Sequence, residues 1–179
     1  VQLCLSPLVG ALAAGNTVVL KPSEIASHSA IAIQHLLEDV FGPDYVAVVQ
    51  GGIETNQELL KHHWDYIFFT GSPRVGGIVA EAAAKHLTPY TLELGGKSPV
   101  FVDEKINVGV TGKRLAWGKL FNNGQTCLAP DYLLVHKNVK NELLPAIVKG
   151  IEELYGKNPQ QSPDYGRIIN EKHFERLKG

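Results

Sequence analysis

No methionine occurs anywhere in this sequence, not even at its first position, and the chain opens directly in the apolar stretch Val1-Gln2-Leu3-Cys4-Leu5. We read this as a piece of a longer protein rather than a processed mature chain. Only two cysteines are present, Cys4 and Cys127, which excludes a disulfide framework; no C-x-x-C pair offers a zinc site, and a reducing compartment is the default. Charge of neither sign dominates: the formal net charge is -1, so neither nucleic acid nor an anionic membrane surface is indicated as a partner. No apolar run reaches the length of a membrane span, and no basic-then-apolar segment of signal type opens the chain. Repeats and low-complexity tracts are absent as well.

What is present is apolar content of 44% over 179 residues, enough for a real core in one domain or parts of two. Residues 7–14 are small and apolar and stop at Gly15-Asn16, as a helix would. Short buried strands are expected at 17–20, 46–49, 66–69 and 90–94. Helical patterns separate them: from Ser27 with Ile31, Leu36, Leu37 and Val40 inward, around 54–61, and from Ser72 with Pro73 in the first turn. The last carries the stripe Val75, Ile78, Val79, Ala82 and Ala83. Four strands alternating with three helices predict a doubly wound parallel sheet, in which ligands bind beyond the carboxyl ends of the strands. Beyond residues 94–97, where a domain boundary is expected, come a strand at 99–102, a helix at 110–121 bearing Leu115, Trp117, Leu120 and Phe121, and a strand at 132–136. A helix at about 139–155 follows, in which Pro145 predicts a kink or a late start. Residues 156–166 read as loop, and 168–177 as the start of another element.

Asn122-Asn123-Gly124-Gln125-Thr126-Cys127 places a cysteine at the edge of an apolar run, amid small polar residues. Such a cysteine can be a nucleophile whose loop aims backbone N–H groups at the group attacked, or an inert packing residue. Cys4 lies within an apolar segment and reads as packing. Gly71-Ser-Pro-Arg-Val-Gly76 sits at a strand-to-helix turn, where N–H groups and the helix dipole suit a pyrophosphate, although a plain tight turn explains it as well. It is not G-x-G-x-x-G, and it lacks the Gly-Lys of a triphosphate loop. Lys21-Pro22-Ser23-Glu24 offers a cation and a carboxylate able to bond vicinal ribose hydroxyls, or a solvated turn. Glu93, in an otherwise apolar strand before Gly95-Gly96, reads as a partly buried carboxylate with a raised pKa or as a solvent-facing alternation. The histidines at 28, 35, 62, 63, 86, 136 and 173 form no ligand motif and read as surface residues. Arg74 and Arg114 read as exposed salt-bridge partners.

Together the ordered motifs Lys21-Pro-Ser-Glu24, Phe69-Thr-Gly-Ser72, Leu92-Glu-Leu-Gly-Gly96-Lys-Ser-Pro99 and Gly124-Gln-Thr-Cys127 resemble the aldehyde dehydrogenase superfamily over essentially the whole chain. Lys85-His-Leu-Thr-Pro89 and Ala129-Pro-Asp-Tyr132 resemble its class 3 and fatty-aldehyde branch. The resemblance implies a Rossmann-like NAD(P)-binding domain at 1–94, truncated at its N-terminus, and the first part of an α/β catalytic domain at 95–179. It implies Cys127 as the nucleophile that forms a thiohemiacetal and then a thioester, with half an oxyanion hole from its own N–H, and Glu93 as the base that activates the hydrolytic water. Lys21 and Glu24 would meet the adenosine ribose, Gly71, Ser72 and Gly76 the pyrophosphate turn, and Leu94 with Gly95-Gly96 the nicotinamide.

NAD and NADP both remain open as cofactor, since Glu24 would repel a 2′-phosphate yet can swing aside. The substrate implied is a small-molecule aldehyde, the full-length protein a homodimer, and the location cytoplasmic, with membrane attachment only through a C-terminal tail absent here. The family's Pro-Trp-Asn segment, its glutamate-phenylalanine-glycine-proline segment and its oligomerisation strand are also absent, so the 179 residues alone are expected to be inactive. Rival readings are a CoA-acylating semialdehyde dehydrogenase, which needs no hydrolytic base, a non-catalytic nucleotide-binding scaffold on the same fold, and a cysteine hydrolase.

Overall fold

The computed structural model describes residues 1–179 and divides into two compact units, Val1–Leu94 and Gly95–Gly179. In the first unit the order is α1 (Gln2–Ala13), β1 (Val18–Leu20), α2 (Ser27–Glu38), β2 (Val46–Val48), α3 (Ile53–Leu59), β3 (Ile67–Thr70), α4 (Pro73–Lys85) and β4 (Tyr90–Glu93). Every ladder is parallel, as strand–helix–strand crossovers require: β1 pairs with β2, Val18 opposite Val46, and β3 with β4, Ile67 opposite Tyr90 and Thr70 opposite Glu93. The four strands therefore pair as two two-stranded ladders, where the alternation predicted one sheet.

The core of this unit is Leu8, Ile33, Leu37 and Val46, with Cys4, Leu5, Leu12, Val18, Leu20, Phe41 and Val48 packed on it. Cys4, Leu8 and Leu12 recur every four residues, one face of a helix, which is why α1 begins at Gln2 and not at Pro7. Pro7 lies inside α1 and costs it one ladder bond. Cys4 is a packing residue, and burial pushes its thiol pKa up. The inward face of α2 is Ala30, Ile33 and Leu37; Ile31, Leu36 and Val40, expected inside, are exposed.

The second unit runs β5 (Ser98–Val102), α5 (Val108–Leu120), β6 (Pro130–Val135), α6 (Lys140–Tyr155) and α7 (Glu171–Lys178), with a 3-10 turn at Phe121–Gly124 after α5. Val102, Val139 and Leu143 form its core, and Val100, Ile106, Leu115, Val135 and Ile147 pack against them. Helices α5 and α6 cross on small residues. A Cβ at Gly112 would lie 2.6 Å from the Ala146 carbonyl carbon, so only glycine permits this approach. The small face of α5, Gly112 and Ala116, is buried; of the expected stripe Leu115 packs on the core and Leu120 is half-buried, while Trp117 and Phe121 are exposed. Helix α6 starts at Lys140 with Pro145 inside it, so Pro145 does not delay the start. The expected element at the end is α7, capped by Asn170 Oδ1, which accepts the His173 N–H at 2.9 Å.

Candidate active site

Polar and glycine residues follow the carboxyl ends of three strands in the first unit. Lys21 leaves β1 and its Nζ donates to Glu24 Oε2 at 2.7 Å, with the lysine side chain 13% exposed and the glutamate 41%. Ser23 Oγ accepts the Ile25 N–H at 3.4 Å and opens the short 3-10 turn Glu24–Ala26 that carries the carboxylate. The hydrogen bond from Lys21, and then one from the Glu24 backbone, holds the Glu24 carboxyl below the usual glutamate range. A donor and an acceptor are thus presented side by side, the pair that a vicinal diol needs.

Beyond β3, Gly71 N–H donates to the Glu93 carbonyl at 3.0 Å, which ties the exits of β3 and β4 together. Ser72 Oγ accepts the Val75 N–H at 3.3 Å, and Pro73 occupies the first helical position of α4. Gly76 is buried: a Cβ there would meet Leu94 Cδ2 at 3.0 Å and Leu92 Cδ1 at 3.5 Å. Its lack of a side chain lets α4 seat on the exit of β4, the role that helix–strand packing gives a late glycine in such turns. The remaining buried positions of α4 are Val79 and Ala83, while Ile78, expected in the stripe, is exposed.

Glu93 is the last residue of β4 and is exposed, which corrects the expectation of a partly buried carboxylate. The reason is positional: a side chain on the final residue of a strand has the open end of the ladder, not a covering layer, beside it. Leu94 follows it half-buried. Gly95 has no neighbour within 4 Å of a built Cβ and faces open space.

In the second unit, three consecutive residues, Asn122, Asn123 and Gly124, take φ values of 50°, 57° and 75°, and so reverse the chain after α5. Asparagine tolerates this left-handed region better than other side-chain-bearing residues. The loop closes on itself: Gln125 N–H and Gln125 Nε2 both donate to the Asn122 carbonyl, at 3.1 and 3.2 Å, and Asn122 Nδ2 donates to the Gln125 carbonyl at 3.4 Å. Next comes a turn in which Ala129 N–H donates to the Thr126 carbonyl at 3.0 Å. Cys127 sits in that turn and is exposed.

The Cys127 peptide is gripped by the segment before and within β5. A Cβ on Gly96 would lie 2.5 Å from the Cys127 carbonyl oxygen, and Ser98 Oγ donates to that oxygen at 3.5 Å. Ser98 pairs with Pro130, but Pro99 pairs with Tyr132, so Asp131 is a bulged extra residue on β6. Pro99 has no N–H to give the ladder, which accounts for the irregularity at this point. Lys97 Nζ reaches Asp131 at 3.2 Å to Oδ2. Sequence reasoning missed this grip; the Pro99 inside a strand pattern was the one signal for it.

The rings of His63 and His86 meet edge to face at 5.8 Å, but no three His, Cys, Asp or Glu side chains converge as metal ligands would. Arg74 and Arg114 are exposed but take part in no ion pair, contrary to expectation.

Comparison with known proteins agrees with the motifs. The profile of the Aldehyde dehydrogenase family matches residues 1–179. The chain is 53% identical to 4,4'-diaponeurosporen-aldehyde dehydrogenase of Staphylococcus aureus over 98% of its length and 38% of that protein's. To human Aldehyde dehydrogenase family 3 member B1 it is 54% identical over 99% of this chain and 38% of the relative. The rat protein named "Aldehyde dehydrogenase, dimeric NADP-preferring" is 50% identical over 99% of this chain and 39% of its own length. Among solved structures, the substrate-bound state of Staphylococcus aureus AldH superposes with a TM-score of 0.92 at 53% identity, covering 98% of this chain and 38% of that one. Mycobacterium tuberculosis aldehyde dehydrogenase complexed with NAD+ gives 0.80 at 32% identity, covering 91% and 34%. The chain thus spans less than two fifths of the length of these relatives. The full-length profile match, the relatives in the family 3 branch and the ordered motifs lead to one conclusion: this chain belongs to the aldehyde dehydrogenase family.

Proposed function

We propose that the full-length protein oxidises aldehydes to carboxylic acids with NAD+ or NADP+, and that Cys127 and Glu93 carry the chemistry. The observation that supports this most directly is the Thr126–Ala129 turn, which exposes Cys127 while its carbonyl is held from behind. The Cys127 thiolate adds to the aldehyde carbon, and the carbonyl electron pair moves to oxygen, where the Cys127 N–H supplies a hydrogen bond. A nicotinamide cofactor held by residues 1–94 would supply the hydride acceptor for that carbon. A thioester remains on Cys127. Glu93 takes a proton from a water molecule whose oxygen adds to the acyl carbon; the C–S bond then breaks and the thiolate is restored. The exposure of Glu93 suits a group that must reach water.

Residues 1–94 are assigned to cofactor binding and 95–179 to catalysis. The chemistry of the donor set fits a dinucleotide. Lys21 and Glu24 offer the donor and acceptor of a ribose diol. The α4 N-terminus behind Gly71 and Ser72 offers N–H groups and a positive dipole end to a pyrophosphate, and Gly76 lets that helix approach. Leu94 and Gly95 would line the nicotinamide side. Both NAD and NADP are represented among the relatives, of which one is named NADP-preferring and another is complexed with NAD+. A homodimer is the assembly we assign to the full-length protein, in line with the word dimeric in one relative's name. No helix here is long and apolar enough to cross a membrane. We place the protein in the cytoplasm, or at the cytoplasmic face of an intracellular membrane if a C-terminal anchor holds it there. The 179-residue chain by itself is expected to be inactive, since it spans only about 38% of the relatives' length.

The test uses the full-length protein and NAD(P)H absorbance. Cys127→Ser should abolish reduction of the cofactor. Glu93→Gln should keep a single-turnover burst of NAD(P)H and slow acid release by roughly 10²- to 10⁴-fold, the range of a lost general base. Acid release at the wild-type rate from Glu93→Gln would remove Glu93 from the mechanism.

A further inference from the structure

The segment Gly96-Lys97-Ser98 and the residues Cys127 to Asp131 meet at three points. Gly96 abuts the Cys127 carbonyl oxygen so closely that a built Cβ would be 2.5 Å from it, against a backbone atom that cannot rotate away. Ser98 Oγ donates to the same oxygen at 3.5 Å. Lys97 Nζ lies 3.2 Å from Asp131 Oδ2 and 3.4 Å from Oδ1, and Asp131 is the bulged residue between Pro130 and Tyr132. The bulge displaces one residue from the ladder and gives Lys97 its partner. Gly96 has no side chain and the Ser98 hydroxyl bonds the Cys127 carbonyl, so both act on the Cys127 peptide. Gly95, one residue earlier, has open space where Gly96 has a carbonyl, so the close approach belongs to Gly96 alone.

We propose that Gly96 and Ser98 are positioning residues for Cys127: they fix the carbonyl on one side of its Cα and so set the direction of the thiol and of the N–H on the other. The Lys97–Asp131 pair and the bulge hold the two segments in register. This rests on Cys127 being the nucleophile. The consequence is geometric. A Cβ at position 96 needs the ordinary C···O separation of about 3.3 Å. The Cys127 carbonyl must then retreat by roughly 0.8 Å, and a misplacement near 1 Å costs about 10²-fold in rate.

The experiment compares full-length variants by kcat, by KM for an aldehyde, by the rate at which iodoacetamide alkylates Cys127 without cofactor, and by melting temperature. Gly96→Ala should lower kcat by about 10²-fold and change the alkylation rate, with KM near wild type and a melting temperature lowered by the collision. Ser98→Ala, which removes only a hydroxyl, should lower kcat roughly 3- to 10-fold. Ser98→Thr, which keeps a hydroxyl, should restore it. Should Gly96→Ala fail to fold, the Ser98 pair decides the matter. Wild-type kcat and alkylation in Gly96→Ala would overturn the proposal, as would equal activity in Ser98→Ala and Ser98→Thr. Turnover by Cys127→Ser would instead remove the nucleophile, and the positioning role with it; an inactive Cys127→Ser beside a fully active Gly96→Ala leaves the nucleophile standing and sinks only the positioning.

Discussion

Replacing Gly112 by alanine sets two effects of opposite sign against each other. Gly112 lies in the interior of α5, where alanine has a helix propensity better by about 0.8–1.0 kcal/mol, so propensity alone predicts a more stable protein. The structure predicts the reverse. The new Cβ would stand 2.6 Å from the Ala146 carbonyl carbon, 2.7 Å from its Cβ and 2.8 Å from its oxygen. Carbon atoms pack best at about 3.5–4.0 Å, so α5 and α6 must part by roughly 1 Å. That separation loosens the core beneath, where Leu143 is 0% exposed and Leu115 and Ile147 pack against it. Overpacking costs about 1–3 kcal/mol, and collision with backbone belongs at the upper end, because a main chain has no rotamer to escape into. With the propensity gain set against it, a net loss of about 2 kcal/mol remains. Gly77, exposed on α4 with nothing within 4 Å of a built Cβ, is the control: there alanine should stabilise by about 1 kcal/mol. Hydrogen exchange read by mass spectrometry on the full-length protein separates the two. Exchange of the protected amides of α5 and α6 should quicken by about 30-fold in Gly112→Ala, and that of the α4 amides should slow by about 5-fold in Gly77→Ala. If Gly112→Ala slowed exchange as Gly77→Ala does, the tight crossing would not exist, and the placement of the loop that follows α5 would lose its support.

Glu24 gives a pH prediction. Its carboxyl is held below the usual range by Lys21, so the ion pair contributes fully above the unfolded pKa and is lost as pH falls through the lowered folded value. A carboxyl titration followed by NMR should show the Glu24 midpoint below that of the unfolded chain and moving upward in Lys21→Gln; an unmoved midpoint would mean the pair is not formed. Asn123 gives a conformational one. With φ at 57°, Asn123→Ala should cost about 1 kcal/mol where Asn123→Gly is near neutral. Protease should therefore nick residues 121–127 faster in the alanine variant than in the glycine variant, and the opposite order would contradict the left-handed loop.

Element positions were largely legible in the sequence because their ends are chemical. Ser72-Pro73 marks the start of α4 and caps it as expected, and each strand of the first unit runs into Lys-Pro, Gly-Gly or Thr-Gly within two residues of its predicted end. Inward faces were less legible. Hydrophobicity points to Ile31, Leu36, Trp117 and Phe121, yet α2 turns Ala30, Ile33 and Leu37 inward and α5 turns Gly112 and Ala116 inward. Where two elements approach closely, the distance between axes selects small residues, and a scale that ranks residues by apolar size has the preference inverted.

The site divides along a similar line. The side chains to which we assign chemistry, Cys127, Glu93, Lys21 and Glu24, stand out in the sequence because each is out of place where it occurs: a thiol at the edge of an apolar run, a carboxylate in a strand, a charged pair after one. Residues that act by what they lack do not stand out. Gly95 and Gly96 are indistinguishable as letters, and only the fold shows that one faces open space and the other a carbonyl oxygen. Gly76, read as part of a phosphate turn, also seats a helix on Leu92 and Leu94. Asp131 carries no signal of its own, since its bulge arises from a missing N–H on a different strand, at Pro99. A thiol can be found by its chemistry, then, but its aim is set by absences around it: a Cβ missing at 96 and a donor missing at 99. Of the two, position 96 is the one where an added methyl group meets a backbone atom and turns the thiol aside.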